Sequence, residues 1–92
     1  MGPAVIHRDF TISNSLGLHA RPSAQLTQVA SRYQSEVWIT RNGRRVNAKS
    51  IMGVMMLAAG KGSIVTVDVE GPDEQAALDA VGALIVSGFG EE

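Results

Sequence analysis

Cysteine is absent from this 92-residue chain. Disulfide frameworks and thiolate metal sites are therefore excluded, and the composition is compatible with a reducing compartment. Histidine is almost as scarce, with only His7 and His19. His7 lies on a predicted strand with no carboxylate spaced to complete a set of ligands, so the sequence disfavours a metal site. Chemistry that needs a lone imidazole remains open.

The chain also lacks a surplus of basic residues and a long apolar run. Its formal net charge is −1 and its pI is near 6.1, which disfavours a nucleic-acid partner. No apolar run approaches the ~20 residues that span a bilayer, and the N-terminus does not resemble a signal peptide. We therefore expect one cytoplasmic domain over residues 1–92 with no membrane partner. The sequence leaves open whether residues 1–3 are native.

Four strands are predicted from period-two alternation and from β-branched and aromatic content. In the first strand, Phe10 and Ile12 are expected to point inward. An Asn-Gly pair at positions 42–43 tolerates positive φ at both turn positions and predicts a hairpin between the second and third strands. The predicted strands cover residues 5–12, 36–41, 44–47 and 63–70.

Three helices are predicted from apolar residues at helical spacing. The first begins just after His19 and carries Pro22 in its first turn, where a missing N–H costs nothing. The second covers residues 51–57, and the third begins within residues 71–74 and ends at Gly88. The order β-α-β-β-α-β-α predicts an α+β fold. In this open-faced two-layer sandwich, three helices cover one face of a four-stranded antiparallel sheet.

His19 lies in the segment GLHARPS, residues 17–23, at the predicted start of the first helix. The helix directs unpaired N–H groups and the positive end of its dipole towards this residue. Gly17 permits unusual backbone angles, and Arg21 adds a cation that binds anions in a bidentate fashion. Because a neutral imidazole nitrogen is a nucleophile near pH 7, the pattern indicates reversible capture of a phosphoryl group. A plain surface histidine, or a local helix cap, is the alternative.

The segment KSIMGVMM, residues 49–56, is apolar nearly all the way round the second helix. A domain of this size cannot bury a whole helix, so part of the surface is expected to be exposed for docking. We name this exposed set the methionine patch, and it consists of Ile51, Met52 and Met55. The residues expected to face the core are Val54, Leu57 and Ala58. A helix lying deeper in the core is the alternative. Ser50 is predicted as the N-cap, and a phosphate there would place negative charge beside the patch.

Three segments together resemble the HPr family, the histidine-containing phosphocarriers of the bacterial sugar phosphotransferase system. They are GLHARPS at 17–23, NAKSIMGVMMLAAGKG at 47–62 and EGPDEQAAL at 70–78. The resemblance covers nearly the whole chain and implies the same open-faced sandwich. The tail ALIVSGFGEE is similar to the nitrogen-branch relative of HPr, and Leu16 departs from the polar residue found there in many HPr proteins.

The resemblance implies that His19 accepts a phosphoryl group on Nδ1 from phosphorylated enzyme I and passes it to a IIA protein or domain. It implies that Arg21 steadies that group, with Gly17 and Pro22 supporting the motif. Ser50 would be the target of an HPr kinase/phosphorylase, and the methionine patch would dock partners. The chain would be a monomeric carrier without a cofactor or metal rather than a free-standing enzyme. A nitrogen-branch relay and a purely regulatory module controlled through Ser50 are the alternatives.

Overall fold

The computed structural model describes residues 5–91, so the origin of residues 1–3 lies outside the described part of the chain. All seven predicted elements occur in the predicted order, and a short 3₁₀ turn, Gly88–Gly90, follows them. The strands are β1 (Ile6–Thr11), β2 (Glu36–Arg41), β3 (Arg44–Asn47) and β4 (Ile64–Glu70). The helices are α1 (Ala20–Ser31), α2 (Ile51–Met56) and α3 (Glu74–Val86). None of the helices within residues 5–91 is long and apolar enough to cross a membrane.

The four strands form one antiparallel sheet in the order β1-β4-β2-β3. Val65, Val67 and Val69 of β4 are fully buried, while the residues between them are half-buried, as a strand with one face on a core requires. Phe10 and Ile12 point inward as predicted. The α+β sandwich, with its helices packed on one face of the sheet, is therefore confirmed.

The hairpin between β2 and β3 also follows the sequence. Asn42 has a φ of 51° and Gly43 a φ of 80°, so both central turn residues adopt the positive φ that a tight two-residue hairpin requires.

The helical side of the core comes mainly from α1 and α3. At Gly82 a Cβ atom would lie 2.6 Å from Cζ of Phe10, so the glycine lets α3 approach β1 closely. The body of α2 contributes only Val54, and Leu57 caps its C-terminal end. The buried helical residues are Pro22, Ser23, Leu26 and Ala30 of α1, and Ala77, Leu78, Val81, Gly82 and Ile85 of α3.

Ala58 corrects one expectation about the second helix. The helix ends at Met56, one residue earlier than predicted, and Ala58 is exposed rather than facing the core. Its φ of 51° is left-handed, so the chain turns sharply after the helix. The next residue, Ala59, is only 2% exposed and occupies the core position instead.

Asp73 joins the start of α3 to the connection between α1 and β2. Its carboxylate makes no hydrogen bond to the helix that it precedes. Instead, Oδ1 accepts hydrogen bonds from the hydroxyl and the N–H of Ser35, at 2.5 and 2.9 Å. Oδ2 accepts one from the N–H of Gln34 at 2.9 Å. These bonds, first that from the Ser35 hydroxyl, lower the pKa of Asp73 because they favour the charged carboxylate.

Replacing Asp73 by Asn should therefore remove stability that depends on pH. A carboxylate with a lowered pKa stabilises the fold above the unfolded-state pKa of about 4, and this contribution is lost as the pH falls through the folded-state pKa. We expect D73N to unfold at lower urea concentration than the wild type at neutral pH, with a gap that narrows in acid. Urea melts on both sides of about pH 4 measure the gap. A difference in urea midpoint that stays constant with pH would contradict the prediction. S35A removes one of the donors to the carboxylate, so its urea midpoint at neutral pH should lie between those of the wild type and D73N.

Candidate functional site

The loop before α1 is held against the segment that follows α2. The N–H of Leu18 donates to the carbonyl oxygen of Ala59 at 2.8 Å, and the Leu18 side chain is buried. Gly17 has a φ of 66°, and a Cβ there would lie 2.2 Å from the Ala59 oxygen. The backbones therefore approach so closely that only glycine fits at position 17.

His19 is the N-cap of α1 by position, with φ −79° and ψ −169°. Its carbonyl oxygen accepts from the N–H of Ser23 at 3.0 Å, but its imidazole makes no capping hydrogen bond. His19 therefore caps the helix through its backbone only, and its imidazole is not used for capping. The Ser23 hydroxyl donates to the carbonyl of Leu18 at 3.1 Å and so fixes the turn from which the imidazole projects.

The His19 side chain is 36% exposed, and its Nε2 lies beside the carboxylate of Glu91. The distances from Nε2 are 3.4 Å to Oε1 and 3.3 Å to Oε2. Within residues 5–91, Nδ1 of His19 has no hydrogen-bond partner in the protein. The imidazole is thus accessible, with one nitrogen engaged and the other available.

Arg21 and Pro22 complete the first turn of α1. Arg21 is exposed, and its guanidinium forms no ion pair with any residue that the structure describes. Pro22 is buried in the first turn, as expected. The N–H groups of Ala20 and Arg21 have no partner within the helix, because the first turn of any helix leaves its donors free. Cationic and N–H donors therefore lie close to the imidazole along the chain.

The remaining histidine and the possible metal ligands do not form a second centre. His7 is exposed on β1, as expected for a solvent-facing strand residue. Across residues 5–91 there is no group of three or more histidine, aspartate or glutamate side chains that could hold a metal ion.

The methionine patch is exposed, so the alternative of a deeply buried second helix is wrong. The exposed fractions are 43% for Ile51, 70% for Met52 and 38% for Met55. Two apolar residues that the sequence analysis did not place in this set, Leu16 and Met56, are also exposed. The α2 surface is therefore an apolar face of the kind that marks an interaction site.

A shallow open groove connects this apolar face with the histidine. It has a volume of about 280 Å³. Met55 and His19 are both part of its wall, so a partner that docks on α2 would come within reach of the imidazole. The lining residues are Leu16, Leu18, His19, Met55, Ala58, Ala59 and Gly60.

Ser50 is the N-cap of α2, as predicted. Its side-chain oxygen accepts a hydrogen bond from the N–H of Gly53 at 3.1 Å. Ser50 is half-buried and immediately precedes Ile51. A charge on Ser50 would therefore lie at the edge of the methionine patch.

The sequence analysis missed two residues at the histidine, Glu91 and Asn14. Asn14 is buried, and its Nδ2 donates to the carbonyl of Gly17 at 2.8 Å and to Oε1 of Glu91 at 3.2 Å. Glu91 is 72 residues from His19 along the chain. No local spacing pattern connects such distant positions, and the only signal was the pair of glycines at 88 and 90 that redirects the tail.

Comparisons with known proteins agree on one family. Residues 6–87 match the family described as PTS HPr component phosphorylation site. The phosphocarrier protein HPr of Cupriavidus necator is 63% identical over 87 residues, covering 95% of this chain and 98% of that protein. The crystal structure of HPr-C-His from Thermoanaerobacter tengcongensis has a TM-score of 0.91 at 45% identity and covers 95% of this chain and 98% of its own. An HPr dimer from the same organism has a TM-score of 0.76 at 46% identity, covering 89% and 94%.

Fold and sequence therefore define a small phosphocarrier protein with an α+β sandwich. More closely, the chain belongs to the HPr family of the phosphotransferase system. This confirms the resemblance that the three sequence segments indicated.

Replacing Gly17 by Ala should weaken the fold and displace the histidine loop. The new Cβ would combine a strained positive φ with a clash against the Ala59 backbone, which should lower the free energy of unfolding by roughly 1–3 kcal/mol. Urea melts measure the loss. Gly43→Ala is the matched control, because its φ is +80° but no atom lies within 4 Å of the new Cβ. Equal losses in the two variants would show that the contact with Ala59 contributes nothing.

Proposed function

We propose that His19 accepts a phosphoryl group on Nδ1 from phosphorylated enzyme I and passes it to a IIA protein or domain. In this proposal residues 1–92 act as one cytoplasmic carrier domain and as an obligate relay partner. The observation that best supports this proposal is the exposed imidazole at the start of α1. Its Nδ1 has no hydrogen-bond partner within residues 5–91. Membership of the HPr family supports the same role.

The proposed transfer needs no oxidant, metal or cofactor. The lone pair of Nδ1 attacks phosphorus, and the N–P bond forms as the donor's P–N bond breaks and its electron pair returns to the donor nitrogen. The free N–H groups of the first turn of α1 and the Arg21 guanidinium offer donors for the phosphoryl oxygens. Because one N–P bond replaces another, the step is close to reversible, as a relay requires.

The methionine patch is proposed as the surface that docks enzyme I and IIA proteins. Its residues are exposed and apolar, and its two methionines are unbranched and flexible, so they adapt to more than one partner. The groove that links Met55 to His19 brings a docked partner to the imidazole. The phosphoryl group and the patch are presented by one copy of the chain, so we propose that the carrier acts as a monomer.

Ser50 is proposed as a regulatory position for a serine kinase of the HPr kinase/phosphorylase kind. Its hydroxyl already lies at the N-terminal end of α2, and a phosphate there would add negative charge beside Ile51 and Met52. Such a charge opposes burial of the patch under a partner, because a desolvated charge without a counter-ion is costly.

The relay predicts one acid-labile phosphate on His19. Incubation with enzyme I, Mg²⁺ and phosphoenolpyruvate should add a single phosphate that acid removes and alkali does not, since a P–N bond is acid-labile. His19→Ala should abolish the label. His7→Ala is the matched control, because His7 is an exposed imidazole on β1, and it should be labelled normally. Label that persists in H19A would refute the assignment of the site to His19, whereas an acid-stable phosphate would favour the purely regulatory module.

A negative charge at Ser50 should slow transfer without weakening α2. Aspartate and asparagine are both good N-caps, so S50D and S50N keep the helix start and differ in charge. We expect S50D to exchange phosphate with enzyme I and with a IIA protein more slowly than S50N, which should behave as the wild type. Rates of label transfer at several carrier concentrations measure the difference. Equal rates for the two variants would refute both the regulation and the position of the docking surface.

A further inference from the structure

The last described turn of the chain is built to hold one carboxylate at the histidine. Phe89 is buried at 3% exposure and has a φ of 60°, and the glycines on either side of it also have positive φ. The N–H of Glu91 then donates to the carbonyl of Gly88 at 3.0 Å. A buried aromatic ring and a closed turn therefore fix the position from which Glu91 reaches His19.

Asn14 orients this carboxylate from the other side. Its amide is buried, and Nδ2 donates hydrogen bonds to the Gly17 carbonyl and to Oε1 of Glu91. The Oδ1 atom of the same amide is buried without a hydrogen-bond partner in the described part of the chain. Leaving a buried acceptor without a partner costs free energy. The amide nevertheless adopts the orientation in which Nδ2 donates two hydrogen bonds, and one of these is to Glu91.

We propose that Glu91 is a positioning residue for the phosphoryl acceptor: its carboxylate accepts a hydrogen bond from Nε2–H of His19 and so leaves the lone pair on Nδ1. This inference rests on the proposed phosphocarrier function. A neutral imidazole carries one proton, and the partner of one nitrogen decides which nitrogen keeps it. A carboxylate accepts and cannot donate, so the nitrogen beside it is the one that bears hydrogen.

The same contact balances charge during transfer. When Nδ1 forms its bond to phosphorus, the ring still holds the proton on Nε2 and becomes positively charged. The carboxylate of Glu91, 3.3 Å away, stabilises that charge, so no proton has to leave the ring for the N–P bond to form. Carboxylates orient and stabilise histidines in the same manner in hydrolase triads and beside metal-bound imidazoles.

The contact lies on the Nε2 side of the ring, so Glu91 does not occupy the place where the phosphoryl group binds to Nδ1. It does bring negative charge near an anionic phosphoryl group. If that repulsion outweighed the positioning, removal of the carboxylate would speed transfer. The direction of the change in rate therefore separates the two effects.

The tautomer of His19 can be measured without any phosphorylation. We expect ¹⁵N NMR of the unphosphorylated full chain to show the Nε2–H form in the wild type. In E91A the signals should move towards the tautomer mixture of a free imidazole. In E91Q, whose amide oxygen is also an acceptor, the Nε2–H form should be recovered. An E91A spectrum identical to that of the wild type would overturn the proposal.

The transfer rate gives the second readout. Phosphorylation of E91A by enzyme I should be roughly threefold slower, the size expected for a partly exposed ion pair. Glu36→Ala is the matched control, because Glu36 is an exposed glutamate far from the site. In the sheet register, Glu36 lies opposite Glu70 at one end of β4. The strand β1 leads to the site from the other end of β4, where Thr11 lies opposite Ile64. E36A should be phosphorylated at the wild-type rate. An unchanged or faster rate in E91A overturns the positioning role, whereas failure of the wild type to accept phosphate on His19 refutes the carrier function itself.

Discussion

The contact between the backbones of Leu18 and Ala59 is the constraint on which the site depends. It joins the loop before α1 to the turn after α2 through one 2.8 Å hydrogen bond, and the absence of a side chain at Gly17 makes the approach possible. His19 follows the first segment directly, and the methionine patch precedes the second. Without this contact, nothing in the local structure of either helix would bring the imidazole beside the apolar surface.

Much of the fold, and the position of His19 at the start of α1, could be predicted from the sequence because both depend on local patterns. Alternation at Val65, Val67 and Val69 defines a half-buried strand wherever it occurs, and an Asn-Gly pair demands the same turn in any hairpin. Ser50 is an N-cap for equally local reasons. Ala58 was misplaced because a helical projection assumes that the helix continues, whereas the chain turns left-handed at that residue.

Residues that reach the site from far along the chain could not be predicted in this way. Glu91 meets His19 only because Phe89 inserts into the core and the turn around it closes. Leu16 joins the groove only because the loop of Gly17 is held against residue 59. Such contacts depend on tertiary packing, which periodicity and spacing do not encode. The residues that surround His19 through tertiary contacts are thus less visible in the sequence than the histidine itself.

The charges around His19 affect how strongly a phosphocarrier would stabilise its phosphorylated state. A relay must accept a phosphoryl group and then release it, so a large stabilisation of the phosphorylated state would stop the second transfer. Arg21 and the free N–H groups of α1 favour an anion on the ring, whereas Glu91 places a like charge nearby while stabilising the protonated ring nitrogen. In the proposed relay these opposing effects keep the phosphorylated and free states close in free energy. Under the same proposal, the partner that covers the methionine patch, rather than the carrier alone, determines the direction of transfer.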